Sequence, residues 1–140
     1  MAGTITFSMV KPEAVKDKFV GGIITMIEQA GFSLQAMRLT QLTPQDAGRF
    51  YEVHKDRPFY EEMCQDLAAG PVVAMVLQKE NAVADFRRLL GATDPAEAAA
   101  GTLRKKFGRS IGANAVHGSD ADTTAAVEAK FFFPELNTGA

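Results

Sequence analysis

Ile5, Phe7 and Met9 alternate with Thr4, Thr6 and Ser8, the period of a strand with one buried face, and Lys11-Pro12 marks its end. Val20, Ile23, Ile24 and Ile27 then fall at helical spacing. Gly31 follows, suited to the left-handed position just past a helix end. Phe32 to Leu42 mixes apolar and polar residues as a second strand would. Thr43-Pro44-Gln45-Asp46 then reads as an N-cap with proline at the first helical position. Ala47, Phe50, Tyr51 and His54 supply that helix's inward face. A short helix from about Phe59 to Ala69, carrying Met63 and Leu67, ends at Gly70-Pro71.

The run Val72 to Leu77 is continuously apolar, as expected of a central strand covered on both sides. Asn81 is placed to cap a helix bearing Val83, Phe86, Leu89 and Leu90, closed by Gly91, with Arg87 and Arg88 on its polar side. Ala92 to Asn114 is a long, weakly periodic connection, of the kind that in compact domains is functional or mobile. Within it Asp94-Pro95-Ala96-Glu97 has the form of a helix start. Ala113 to His117 is expected to form the last strand, and Ser119-Asp120 to cap a final helix reaching about Lys130. The alternation of strands and helices predicts an α/β (α+β) ferredoxin-like sandwich: a four-stranded antiparallel sheet with helices packed on one face. At 140 residues the chain encloses one core, so residues 1–140 are read as a single domain.

Composition narrows the function. A net charge of −2 gives no long-range pull on a phosphate backbone, which argues against generic nucleic-acid binding; an anion site must be built from a few converging cations. No apolar stretch reaches membrane-spanning length, and Met1 to Thr4 lack the features of a secretory signal, so a cytoplasmic protein with no membrane partner is expected. The lone Cys64 cannot form an internal disulfide and suits a packing role.

No phosphate loop with its lysine and hydroxyl is present, nor any dinucleotide glycine fingerprint. The distinctive stretch is Asn114-Ala115-Val116-His117-Gly118-Ser119-Asp120, which places a histidine at a strand end beside a glycine that would leave its approach open. A neutral imidazole is a competent nucleophile near pH 7, better when its other nitrogen is held by a hydrogen bond. Glu128, on the following helix, is the candidate partner. His54 has no second histidine near it and fits a structural or rim role; Lys105 and Lys106 fit solvated surface.

Asn114 to Asp120 resembles the active-site signature of the nucleoside diphosphate kinases, Asn-x-x-His-Gly-Ser-Asp. Met9-Val10-Lys11-Pro12, Phe50-Tyr51, Arg57-Pro58-Phe59-Tyr60, Gly70-Pro71-Val72, Asn81-Ala82-Val83, Leu90 to Pro95 and Gly101 to Arg104 follow the family's order, so the resemblance spans essentially the whole chain. It implies that His117 becomes a phosphohistidine in a two-step exchange between nucleoside triphosphates and diphosphates, ribo- or deoxyribo-, with Glu128 and Ser119 supporting the ring. It further implies that Lys11 and Tyr51 lie near the transferred group and the ribose. Arg87, Thr93 and Arg104 would hold phosphates, Asn114 would meet the ribose hydroxyls, and Phe59 and Ile111 would sandwich the base. Mg²⁺ is expected to arrive on the nucleotide phosphates with no dedicated protein site, Asp120 reaching it through water. The family's habit implies a homo-oligomer, tetramer or hexamer. The aromatic carboxyl end, 131–140, is expected to bury itself against the core or another subunit. Two other readings share these residues: a phosphohistidine relay serving a protein partner, and a nucleotide-binding module without turnover.

Overall fold

The apolar run centred on Met75 does become an inner strand, in a computed structural model that describes residues 3–136. Met1, Ala2 and residues 137–140 lie outside the described residues, and with them part of the opening segment and of the carboxyl end. The strands are β1 (Ile5–Val10), β2 (Ser33–Thr40), β3 (Val72–Gln78) and β4 (Val116–Gly118). They form one antiparallel sheet in the order β2-β3-β1-β4. The helices are α1 (Pro12–Lys16), α2 (Val20–Gln29), α3 (Pro44–Phe50), α4 (Tyr60–Ala68), α5 (Ala82–Leu90), α6 (Leu103–Phe107) and α7 (Asp122–Phe132), with 3-10 turns at Glu52–His54 and Pro95–Glu97.

Helices cover both faces of the sheet rather than one. Because alternate residues of a strand point to opposite faces, Val10, Val73, Met75 and Leu77 pack with Ile23, Ile27, Phe86, Leu90 and Leu103. Phe7, Met9, Val72, Ala74 and Val76 pack with Leu67, Ala129, Phe132 and Phe133. The alternation in β1 therefore marks two buried faces, not a wet one: Thr6 and Ser8 are fully buried, and their hydroxyls have no hydrogen-bond partner. Phe131 to Phe133 settle against the chain's own core, where Phe132 stacks on Phe7 with ring centroids 5.1 Å apart. Cys64 is buried in the same cluster.

Local chemistry explains where the elements begin. Thr43 accepts the Asp46 N–H at 3.0 Å, and Asp46 returns a bond to the Thr43 N–H, a complete capping box. Gly31 sits at φ +97° after α2, as its position predicts. Three expected caps differ. Asn81 starts α5 from a left-handed backbone (φ +56°) without a side-chain cap. Asp94 holds only a 3-10 turn. The final helix is capped through Ala121 and Thr124, because Ser119 is drawn inward to the site. His54 lies in the 3-10 turn after α3, not on the helix face.

Candidate active site

β4 pairs with β1 so that His117 lies opposite Met9. Its ring faces the side of the sheet covered by α3 and α7, edge-on to Phe50 at 5.4 Å and tilted against Phe7 at 6.1 Å. These aromatic walls restrict the ring's orientation. From α7, Glu128 Oε1 accepts the Nε2–H of His117 at 3.0 Å and the Ser119 hydroxyl at 2.7 Å. Ser119 Oγ in turn accepts the Phe7 N–H at 3.2 Å. This chain selects the tautomer: with Nε2 donating, Nδ1 carries the lone pair. The side chain keeps 20% of its surface exposed, enough for an incoming phosphate to reach it.

Gly118 does not open the approach, as its place beside the histidine had suggested. It faces the opposite side, where a Cβ would lie 2.6 Å from Leu90 Cδ1 and 2.9 Å from Phe86 Cδ2; its role is to let α5 close on β4.

A cleft of about 490 Å³ is lined by Lys11, Glu13, Tyr51, Phe59, Met63, Thr93, Ile111 and Asn114. Phe59 and Ile111 are exposed, 46% and 60%, on its walls, the state of groups awaiting a flat apolar ligand. Deeper, Lys11 Nζ donates to Asn114 Oδ1 at 2.8 Å, and Asn114 Nδ2 donates to the Thr93 carbonyl at 3.1 Å. Burial holds the Lys11 ammonium below its ordinary pKa; Glu13 and Asp66 oppose that shift, and nearby Arg104 adds to it. The Tyr51 phenol is pushed up, by burial first and the Glu128 charge second, so it stays a proton donor.

His117, Glu128, Ser119, Arg87 and Arg104 do not line that cleft. Tyr51 and Lys11 connect them to it, through the fields of Glu128 and Arg104 respectively. Arg104 donates to the Gly91 and Val116 carbonyls at 3.2 and 3.0 Å, the latter on the residue before His117, and its buried Nε has no partner. Burial, then Arg87, lowers its pKa to about 10, still charged at neutral pH. Arg88 is paired with Asp85, whereas Arg87 has no ion pair among the described residues and lies by Arg104. Lys11, Arg87 and Arg104, from three distant segments, thus lie within range of one another's charge, and Arg104 is bonded to the residue before His117.

Among the described residues no group of three or more His, Cys, Asp or Glu side chains is gathered to hold a metal ion. Asp120 is exposed, with Oδ1 accepting the Thr124 hydroxyl at 2.6 Å.

The sequence reading missed Glu13. It lines the cleft, and its Oε2 accepts the Ala115 N–H at 3.0 Å. Ala115 has φ +76°, and the Val116 N–H bonds back to the Asn114 carbonyl at 2.9 Å, a strained γ-turn whose conformation costs of order 1–3 kcal/mol. Pro12 at the first helical position and an acid in the first turn were the available signal for α1.

The chain is similar to known proteins over most of its length. A family model described as nucleoside diphosphate kinase matches residues 4–138. The chain is 56% identical over 133 residues to a nucleoside diphosphate kinase of Flavobacterium psychrophilum (95% of this chain, 96% of the relative). It is 51% identical over 140 residues to that of Dechloromonas aromatica (100% and 99%). Among solved structures it resembles the Aquifex aeolicus nucleoside diphosphate kinase, with TM-score 0.92 and 39% identity over 93% of this chain and 94% of that one. It also resembles a halophilic nucleoside diphosphate kinase from Halobacterium salinarum in complex with CDP, with TM-score 0.90 and 34% identity over 94% and 88%.

Proposed function

The chain belongs to the nucleoside diphosphate kinase family and is a phosphotransferase acting on nucleotides; from that premise we propose that the transfer is ping-pong, through a phosphohistidine on Nδ1 of His117. The observation that carries this is the Ser119–Glu128–His117 relay, which occupies Nε2 and leaves the other nitrogen as nucleophile. Nδ1 attacks the terminal phosphorus of a triphosphate, an N–P bond forms, and the P–O bond to the departing diphosphate breaks. In the second half-reaction a terminal oxygen of another diphosphate attacks the phosphorus and the N–P bond breaks. Glu128 stabilises the positive charge that builds on the imidazole during attack.

Lys11, Arg87 and Arg104 neutralise the phosphate oxygens, Thr93 joins them, and Tyr51 donates toward the transferred group. Asn114, held between Lys11 and Thr93, has one amide hydrogen and one lone pair left for the ribose hydroxyls. Phe59 and Ile111 clamp the base by its faces, which every base presents, so ribo- and deoxyribonucleotides of all bases are substrates. Asp120 would hold a divalent metal, Mg²⁺, through water beside the nucleotide's phosphates, and the ion would supply charge neutralisation there.

Residues 1–140 form one kinase domain. Among the described residues no helix is long and apolar enough to cross a membrane; a cytoplasmic location without membrane or nucleic-acid partners is part of the proposal. Met37 and Leu39 stand exposed on the edge strand β2, 53% and 66%, and support assembly into a homo-oligomer, tetramer or hexamer. Steady-state assays varying ATP against several diphosphate acceptors test the reading: parallel double-reciprocal lines are expected, and intersecting lines would exclude a free phosphoenzyme.

A further inference from the structure

Ala115 is fully buried and holds a backbone conformation that L side chains rarely adopt, between two residues of the site. Such a turn persists only where its surroundings over-determine it. Two bonds from one short segment do so: the Lys11 N–H donates to the Ala115 carbonyl at 2.8 Å, and Glu13 Oε2 accepts the Ala115 N–H at 3.0 Å. Without the carboxylate that buried N–H would lose its acceptor, and the chain could relax to an ordinary φ. Asn114, which bridges Lys11 and Thr93, and His117, two residues further on, would both be re-aimed.

We propose that Glu13 is a positioning residue for phosphoryl transfer, its carboxylate pinning the γ-turn at Ala115 so that Lys11, Asn114 and His117 keep their mutual geometry. The inference rests on His117 being the phosphoryl acceptor. Glu13 acts through the backbone and does not touch the reacting atoms. Its influence therefore falls on the rate of transfer once nucleotide is bound, because small misplacements of a nucleophile cost far more in rate than in affinity.

The test is single-turnover phosphorylation by ATP, with nucleotide affinity and thermal melting measured on the same full-length variants. Glu13→Met keeps bulk and removes the acceptor, and should slow phosphorylation by about 10- to 100-fold, the usual range for a lost orienting partner. Nucleotide affinity should fall by a smaller factor than the rate, since Arg87, Arg104, Phe59 and Ile111 are untouched and only the contacts of Asn114 and Lys11 are disturbed. Glu13→Gln keeps an acceptor oxygen and should restore the rate to within about fivefold of the native enzyme. Should Glu13→Met fail to fold, Glu13→Ala takes its place beside Glu13→Gln. A native rate in Glu13→Met or Glu13→Ala would overturn the proposal. So would equal losses in the Gln and Met variants, or a loss confined to affinity. His117→Ala is run in parallel: if it is phosphorylated normally, the nucleophile assignment has failed, whereas an inert His117→Ala beside a native-rate Glu13→Met leaves that assignment standing and removes only the role of Glu13.

Discussion

In the proposed mechanism Glu128 decides which nitrogen of His117 reacts, and it does so with an oxygen that also holds Ser119. Replacing it by alanine frees the ring to choose its tautomer and removes the charge that stabilises a developing imidazolium. Glu128→Ala should therefore lower kcat by roughly 10- to 100-fold, as removal of an orienting carboxylate commonly does, a loss read directly from steady-state turnover. In the proposed reaction Lys11 sets the alkaline limit. Its charged form is the useful one, and burial depresses its pKa below the ordinary 10.5, so activity falls as pH rises through that lowered value. The unfolded chain holds the same proton more tightly. The burial of Lys11 therefore destabilises the fold most at low pH, and the cost fades as pH rises toward 10.5. An alkaline limb of kcat/KM, which reports the free enzyme, is expected below the ordinary pKa of 10.5, and a limb at or above it would contradict the buried position. Histidine, lysine and arginines were legible in the sequence as residue types in a resemblance. Their bonds to Thr93, Gly91 and Val116 were not, because backbone carbonyls leave no mark on composition.

At the scale of elements, β4 is only three residues long and is held by what packs on it. Gly118 is where α5 presses hardest, so Gly118→Ala should destabilise the protein by about 1–3 kcal/mol through overpacking, measurable by urea unfolding, and should disturb the adjacent His117. Periodicity revealed β3, α2 and α5 because each owes its form to a long apolar face. It misread β1, since a strand covered on both faces can bury hydroxyls and still alternate in polarity. It passed over α1 because five residues carry too little pattern, and Pro12 reads equally as a strand's end or a helix's first residue. The Ser119-Asp120 cap failed for a tertiary reason: the Ser119 hydroxyl is bound to Glu128 from α7 and to the Phe7 backbone.

For the whole molecule, a net charge of −2 coexists with a cationic site because three cations are brought together by the fold rather than by the sequence. Affinity for nucleotide should accordingly be local and modest in its salt dependence, while in the proposed binding mode base recognition rests on the exposed pair Phe59 and Ile111. Phe59→Ala should weaken every nucleoside diphosphate by a similar factor, roughly 5- to 150-fold if base stacking contributes about 1–3 kcal/mol; a loss confined to purines in a panel of acceptors would show recognition of base edges instead. The proposed covalent phosphate on one nitrogen of His117 is open to phosphorus NMR of the enzyme after incubation with ATP. A single acid-labile resonance of Nδ1-phosphohistidine is expected, one that vanishes on adding diphosphate and is absent from His117→Ala. Phosphate on Nε2, or a resonance surviving in His117→Ala, would contradict it.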